Sequence, residues 1–203
     1  MAKFYENCTI FNYSWDQVAQ AFWRKYPNPY SSHVLTEDTL CREITRDGKL
    51  HSKRLLTKTN RVPKWGERFF KAKFVCIVEE SIVDPKNKTI VTYTRNIGFN
   101  KIMNVVEKVT YKISNDAAGK TIALRSAWID SQVYGFGAAI KAFGLDRFKK
   151  NCAKTVLGFN HVLHHMFPAV VITQKDVNVS TNKIKEAAKT AAEQIYQAYS
   201  VKN

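Results

Sequence analysis

The chain has 203 residues, of which 45% are hydrophobic and 24% charged, and its formal net charge is +15. This composition is that of a globular protein, which excludes a disordered chain and allows a core that stands without disulfides or metal. No apolar run approaches the length of about 18 residues that a membrane span needs, and the N-terminal residues show no targeting pattern. We therefore expect a soluble protein made in the cytosol.

The positive charge is concentrated in one part of the chain. Residues 24–73 contain thirteen Lys and Arg against five Asp and Glu, whereas no polybasic tail is present. A folded basic surface attracts phosphate-bearing partners, and charge alone does not choose among nucleic acid, an anionic membrane and a phosphorylated ligand.

The four cysteines are far apart in the sequence. No CxxC pair occurs, which excludes a zinc ribbon and a thioredoxin-type motif. We expect Cys8, Cys41, Cys76 and Cys152 to be buried free thiols.

The first elements are a strand at residues 3–11 and a short helix. Ser14 and Gln17 have the spacing of a capping box that starts the helix, and Val18, Ala21 and Phe22 form its apolar face.

The helix runs into the segment RKYPNPYSSHVL, residues 24–35. Proline fixes its own φ angle and disfavours helix in the residue before it, so we expect the helix to end near Tyr26. Arg24 and Lys25 would then be held at a rigid corner, where they could bind a phosphate group. An ordinary helix stop followed by a surface turn explains the same residues.

The next segments have the alternation of apolar and polar residues that is typical of strands. Asp47-Gly48 predicts a hairpin within residues 34–57. Its candidate buried positions are Leu40, Ile44, Leu50 and Leu55. Further strands are predicted at residues 74–84, 88–98, 103–114 and 120–132, which makes seven strands in all.

Apolar residues then recur every three to four positions from about Gly137 to Phe167, which predicts one long helix. The order of elements predicts an α+β fold in which a curved, seven-stranded antiparallel sheet grips this helix. Such a sandwich can enclose a cavity. We expect two regions: a domain at residues 1–167 and a mobile, partly helical tail at residues 168–203.

One stripe of the long helix carries Arg147, Asn151 and Lys154, which are spaced four and three residues apart. Two cations and an amide could hold a phosphate monoester through charge-assisted hydrogen bonds. A solvated helix edge is the simpler explanation of the same pattern.

Aromatic and basic residues alternate in the segment TNRVPKWGERFFKAK, residues 59–73. This composition suits insertion into an anionic membrane interface. It also suits single-stranded nucleic acid, where aromatic rings stack on bases, and a short helix that packs its aromatics into the core.

Catalytic and metal sites have little support in the sequence. His161, His164 and His165 lack an evident third metal ligand, and Glu79 and Glu80 face opposite sides of a strand. No GxSxG, HExxH, P-loop or GxGxxG motif occurs. We expect no active site, no metal and no cofactor.

Several separated segments resemble the PRELI/MSF1 domain family. They are RKYPNPYSSHVLTEDTL, KRLLTKTNRVPKWGERFF, ESIVDP, TYTRNI and RFKKN. They occur in the family's order, cover residues 1 to about 167, and are closer to the PRELI branch of the family than to its Slowmo branch.

The resemblance implies a START-like lipid carrier of the mitochondrial intermembrane space rather than an enzyme. Such a protein carries phosphatidic acid from the outer to the inner membrane, where it supports cardiolipin synthesis. The resemblance also implies a small twin-CX9C protein as heterodimer partner, and peripheral contact with an anionic membrane surface.

Carried over by position, the resemblance places Lys25, Lys58, Arg147, Asn151 and Lys154 near the lipid phosphate. Relatives that carry phosphatidic acid often have Arg at the position of Lys25, and a lysine cannot make the bidentate contact of an arginine.

The same resemblance places Arg61 and Trp65 in a lid over the cavity. We expect Arg61, Val62, Trp65 and Phe69 to contact the membrane. Two alternatives stay open, namely phosphatidylserine transfer by the same fold and a basic nucleic-acid-binding protein that uses residues 59–73. The leading hypothesis has no nucleic-acid partner, since no RRM, KH or OB signature is present.

Overall fold

The computed structural model describes residues 1–60, 64, 67 and 72–168 of the chain. The predicted lid residues Arg61, Val62, Trp65 and Phe69 lie outside the described residues, as does the predicted tail from residue 169 onward.

Within the described residues, seven strands form one antiparallel sheet, whose order in space is first, seventh, sixth, fifth, fourth, third and second strand of the sequence, and two α-helices accompany it. The predicted seven-stranded sheet with a long C-terminal helix is therefore confirmed. The elements are β1 (Lys3–Phe11), α1 (Trp15–Phe22), a 3₁₀ turn (Pro29–Ser31), β2 (Val34–Ile44), β3 (Leu50–Thr59), β4 (Phe74–Asp84), β5 (Thr89–Ile97), β6 (Asn104–Ile113), β7 (Thr121–Asp130) and α2 (Gly137–Met166).

The helix α1 begins as predicted and ends earlier than predicted. Both hydrogen bonds of the capping box between Ser14 and Gln17 are present. At the other end the Arg24 N–H donates to the Ala21 carbonyl at 2.9 Å, so a tight turn closes the helix before the prolines are reached. The predicted end near Tyr26 is therefore wrong by about one turn.

The hairpin of β2 and β3 is present, and among its predicted buried positions Leu50 packs against the core, whereas the predictions for Leu40 and Ile44 are wrong. Leu40 and Ile44 are 55% and 76% exposed, and Leu50 and Leu55 are half-buried. Two register shifts interrupt β2, which lies at the edge of the sheet, and they break the alternation that the prediction assumed. The inward side chains of β3 are Ser52, Arg54, Leu56 and Lys58.

The helix α2 packs across the inner face of the sheet together with α1. The core between them contains Phe11, Val18, Phe22, Tyr111, Phe159 and Leu163. Two glycines let α2 approach its neighbours closely, because a Cβ at Gly144 would lie 2.7 Å from Met103 Sδ and one at Gly158 would lie 2.4 Å from Asn28 Oδ1.

The cysteines are free, as predicted, but only Cys152 is buried. Cys8 and Cys41 lie on the two edge strands and are exposed, so the prediction of four buried thiols is wrong.

Candidate functional site

A cavity lies between the inner face of the sheet and α2. The space between its walls is about 1020 Å³, including the part that is open to solvent. Apolar side chains make up much of the wall: Val75, Ile77, Phe99, Met103, Val105 and Phe148.

A second, smaller space adjoins this main cavity, and we call it the inner cavity. It is lined by the buried side chains of Lys25 and Glu79 and by Tyr26 and Tyr111. Five residues line both spaces, and all five are polar or charged: Lys58, Thr94, Glu107, Arg125 and Thr155. The cavity system therefore has an apolar wall and a charged inner end.

The segment after α1 places Lys25 at the inner cavity, whereas Arg24 beside it is exposed. Lys25 Nζ donates to Glu79 Oε2 at 2.7 Å, and Arg54 pairs with the other oxygen of Glu79 and with Glu37. Burial opposes the ionised form of Glu79, but the charges of Lys25 and Arg54 hold its pKa at about 2. Lys25 therefore belongs to an internally compensated network.

Lys58 differs from Lys25 because no carboxylate of the described residues forms an ion pair with it. It projects from the inner face of β3 into both cavities. Burial lowers its pKa, and the more distant charges of Glu107 and Glu79 partly oppose that effect. A cation placed in this way favours an anionic ligand, because the ligand would supply the missing counter-charge.

Two members of the predicted α2 stripe, Arg147 and Asn151, line the main cavity. Arg147 donates to the Thr59 carbonyl at 3.3 Å and to Asn60 Oδ1 at 3.5 Å, which ties the helix to the end of β3. Burial lowers the pKa of Arg147.

The third member, Lys154, is exposed and does not line either cavity. Its charge nevertheless reaches His33, a cavity residue that the sequence prediction missed. Burial lowers the pKa of His33 to about 4, and the charges of Lys58, Lys154 and Arg147 act in the same direction. The structure thus surrounds one edge of the cavity with cations.

An ion pair between Arg125 and Glu107 was also missed. Both residues face inward from β7 and β6, among the small and apolar side chains of Ala123, Ala127 and Val109. An arginine within an otherwise apolar inward series was the available signal, since inward charged residues need a partner or a function.

This geometry suits an amphiphile with an apolar body and one anionic group. Within residues 1–60, 64, 67 and 72–168, no group of three or more His, Cys, Asp or Glu is placed to hold a metal ion. In the same part of the chain, no helix has the length and apolar character needed to cross a bilayer.

The sequence matches the model of the PRELI-like family over residues 16–169. It is 49% identical to the human protein named PRELI domain-containing protein 1, mitochondrial, over 166 residues, which are 80% of this chain and 76% of that protein. It is 35% identical to the Saccharomyces cerevisiae protein named Protein UPS1, mitochondrial, over 174 residues, which are 82% of this chain and 95% of that protein.

Solved structures with little sequence identity share the fold. The lipid transfer and protein localization domain of human StarD13 aligns with a TM-score of 0.50 and 8% identity, covering 80% of this chain and 77% of that chain. The Zhui aromatase/cyclase of a Streptomyces species aligns with a TM-score of 0.56 and 10% identity, covering 84% and 99%. The START-like fold is therefore confirmed, and the family match together with the two relatives shows that this chain belongs to the PRELI-like family.

Proposed function

We propose that this protein carries phosphatidic acid from the outer to the inner mitochondrial membrane and so supports cardiolipin synthesis. The observation that carries the proposal is the cavity itself, whose apolar wall leads to Lys58, a cation without a carboxylate partner in the described part of the chain. Membership of the PRELI-like family supports a lipid transfer protein rather than an enzyme, and the fold is one that the StarD13 lipid transfer domain also uses. The relatives' names support a mitochondrial location, and the intermembrane space is part of the proposal.

A closed cavity is what such a carrier needs energetically. Two acyl chains of about sixteen carbons, at about 0.8 kcal/mol per CH₂, cost on the order of 25 kcal/mol to expose to water. The apolar wall replaces water around the chains, and the cations at the inner end compensate the phosphate. We assign the direct phosphate contacts to Lys58, Arg147 and Asn151, because all three line the main cavity. Lys25 faces the inner cavity beside them, and Lys154 contributes from outside.

Exchange with a bilayer requires contact with the membrane. We assign this contact to Arg61, Val62, Trp65 and Phe69, because aromatic side chains beside cations suit an anionic interface. A small twin-CX9C protein is the proposed heterodimer partner. Phosphatidylserine is the alternative cargo of the same cavity. A cavity with a largely apolar wall favours either lipid over nucleic acid, which binds in positively charged grooves.

Replacing Lys58 with Gln tests the assignment of the phosphate end. We expect transfer of phosphatidic acid between vesicles to fall at least tenfold, because the buried counter-charge is lost. The melting temperature should stay at the wild-type value, because the replacement removes a buried charge that has no ion pair with a described residue. Lys53→Gln is the matched control, since Lys53 lies on the same strand but pairs with Glu80 on the opposite face. Wild-type transfer by the Lys58→Gln protein would refute the binding mode.

A further inference from the structure

The ion pair between Arg125 and Glu107 lies inside the cavity system rather than on the surface. Both side chains line the main and the inner cavity, with side-chain exposures of 11% and 16%. A paired charge in such a place has been taken out of bulk water, which costs more than the same pair costs on the surface. Because the pair lines the same two cavities as Lys58, we consider its role in binding the anionic ligand.

The charges at the inner cavity do not balance. Among the described residues, three cations and two carboxylates line it: Lys25, Lys58, Arg125, Glu79 and Glu107. Glu79 compensates Lys25 and Glu107 compensates Arg125, which leaves Lys58. Arg125 lowers the pKa of Lys58 while Glu107 raises it, so the carboxylate lies within electrostatic reach of both cations.

Arg125 also retains unused hydrogen-bond donors. Its Nη1 donates to Glu107 and lies 3.6 Å from Cys152 Sγ, whereas the structure gives Nε and Nη2 no hydrogen bond to a described residue. A guanidinium has five N–H donors in a planar fork that fits phosphate oxygens. Arg125 can therefore bind a phosphate at the cavity wall while it stays near Glu107.

Building on the proposed function, we propose that Arg125 is a further ligand of the head-group phosphate beside Lys58, and that Glu107 is the counter-ion of Arg125 when no lipid is bound. The phosphate lies between Lys58 and Arg125, where the two cavities meet. Glu107 limits the negative charge that this position accepts, because a phosphate and a carboxylate repel each other in a site of low dielectric constant.

Removing the negative charge of Glu107 is therefore expected to raise the affinity for anionic ligands. Replacing it with Gln leaves Arg125 fully available, so anionic head groups bind more tightly, by about tenfold. Replacing Arg125 in the same protein removes the gain. The double variant is informative because removing both partners of a buried pair leaves no orphaned charge, whereas removing Arg125 alone would strand Glu107.

The test measures equilibrium binding by the purified full chain of dioctanoyl phosphatidic acid, dioctanoyl phosphatidylcholine and glycerol 3-phosphate. The proteins are wild type, Glu107→Gln, Glu107→Gln with Arg125→Gln, and Lys58→Gln. The pair Lys53 and Glu80 on the outer face of the sheet provides matched controls, as Glu80→Gln and as Glu80→Gln with Lys53→Gln. Circular dichroism confirms that each variant is folded, and Arg125→Lys replaces Arg125→Gln if the double variant is not.

The proposal is supported if Glu107→Gln binds phosphatidic acid more tightly than wild type does. The double variant must then bind phosphatidic acid at least tenfold more weakly than Glu107→Gln does, and the outer-face controls must bind as wild type does. Equal binding by Glu107→Gln and the double variant would overturn the role of Arg125. Binding of glycerol 3-phosphate as tight as that of the lipid would overturn the head-group assignment in favour of a free phosphate ester. Failure of the proposed function looks different, because wild type would then bind no phosphatidic acid.

Discussion

Two lysines with the same predicted role have different surroundings, and those surroundings decide what each can do. Lys25 lies between the rings of Phe22 and Tyr26, with Nζ 4.4 and 5.5 Å from their centroids, and donates to Glu79. Lys58 has no ion pair among the described residues. Burial lowers the pKa of both. We therefore regard Lys25 first as part of the network that holds the inner cavity in shape, and Lys58 as the phosphate-binding lysine.

Replacing Glu79 with Gln should destabilise the protein strongly. Lys25 and Arg54 would both lose their buried carboxylate, and breaking a buried ion pair from one side costs about 3–5 kcal/mol. Urea denaturation at neutral pH measures the change in unfolding free energy. The neighbouring Glu80→Gln is the control, because its exposed pair with Lys53 contributes about 0–1 kcal/mol. Equal stabilities of the two variants would contradict the role given to the network.

His33 reports on the cations around the cavity. Its pKa of about 4 lies below the ordinary value of 6.5, since burial and then Lys58, Lys154 and Arg147 disfavour the charged ring. Between these two values the unfolded chain binds a proton that the native protein does not bind, so stability falls as the pH drops from 6.5 toward 4. After allowance for solvent screening, the contribution is on the order of 1 kcal/mol.

The titration of His33 by NMR, assigned with His33→Asn, should give a midpoint near 4 when no lipid is added. Bound phosphatidic acid should raise the midpoint by about one unit or more, because the phosphate offsets the neighbouring cations. A midpoint near the ordinary value without lipid would contradict both the burial of His33 and its proximity to these cations.

At the scale of elements, α2 closes the cavity against the sheet, and Gly144 sets how closely it packs. A Cβ at this position would lie 2.7 Å from Met103 Sδ and 2.9 Å from Ile129 Cγ2. Met103 lines the cavity, whereas Ile129 is fully buried. The helix position is therefore coupled to the width of the cavity.

The replacement Gly144→Ala should destabilise the protein by about 1–3 kcal/mol through overpacking, although alanine in a helix ordinarily gains about 1 kcal/mol over glycine. We also expect weaker lipid binding, because Met103 lines the cavity and its displacement would change the shape of the wall. Truncating Met103 to Ala in the same protein should recover part of both losses. A net stabilisation in urea denaturation would mean that α2 does not pack this closely.

The elements that were predictable carry strong local signals. The capping box at Ser14, the Asp47-Gly48 turn and the long apolar periodicity of α2 each specify their structure within a few residues. The burial of β2 was not predictable, because its two register shifts depend on pairing with β3. Arg125 and Glu107 were missed for a related reason, since a charged residue in a strand suggests a solvent-facing position until the partner strand is known.

At the scale of the whole molecule, the net charge of +15 has two distinct uses. Under the proposed function, cations on the outside would attract an anionic membrane surface, whereas Lys58 and Arg147 line the cavity. Charge alone did not separate these uses. The resemblance to the family selected the lipid carrier, and the cavity supplies the physical argument for it.

The most direct test of the central claim is transfer of fluorescent phosphatidic acid, phosphatidylserine and phosphatidylcholine between vesicles by the full chain, with and without the proposed small twin-CX9C partner. We predict selective transfer of phosphatidic acid, because its compact phosphate reaches the cations at the inner end of the cavity. Preference for phosphatidylserine would keep the carrier and overturn the cargo. Absence of transfer for all three lipids, with the protein folded and the partner present, would contradict the account.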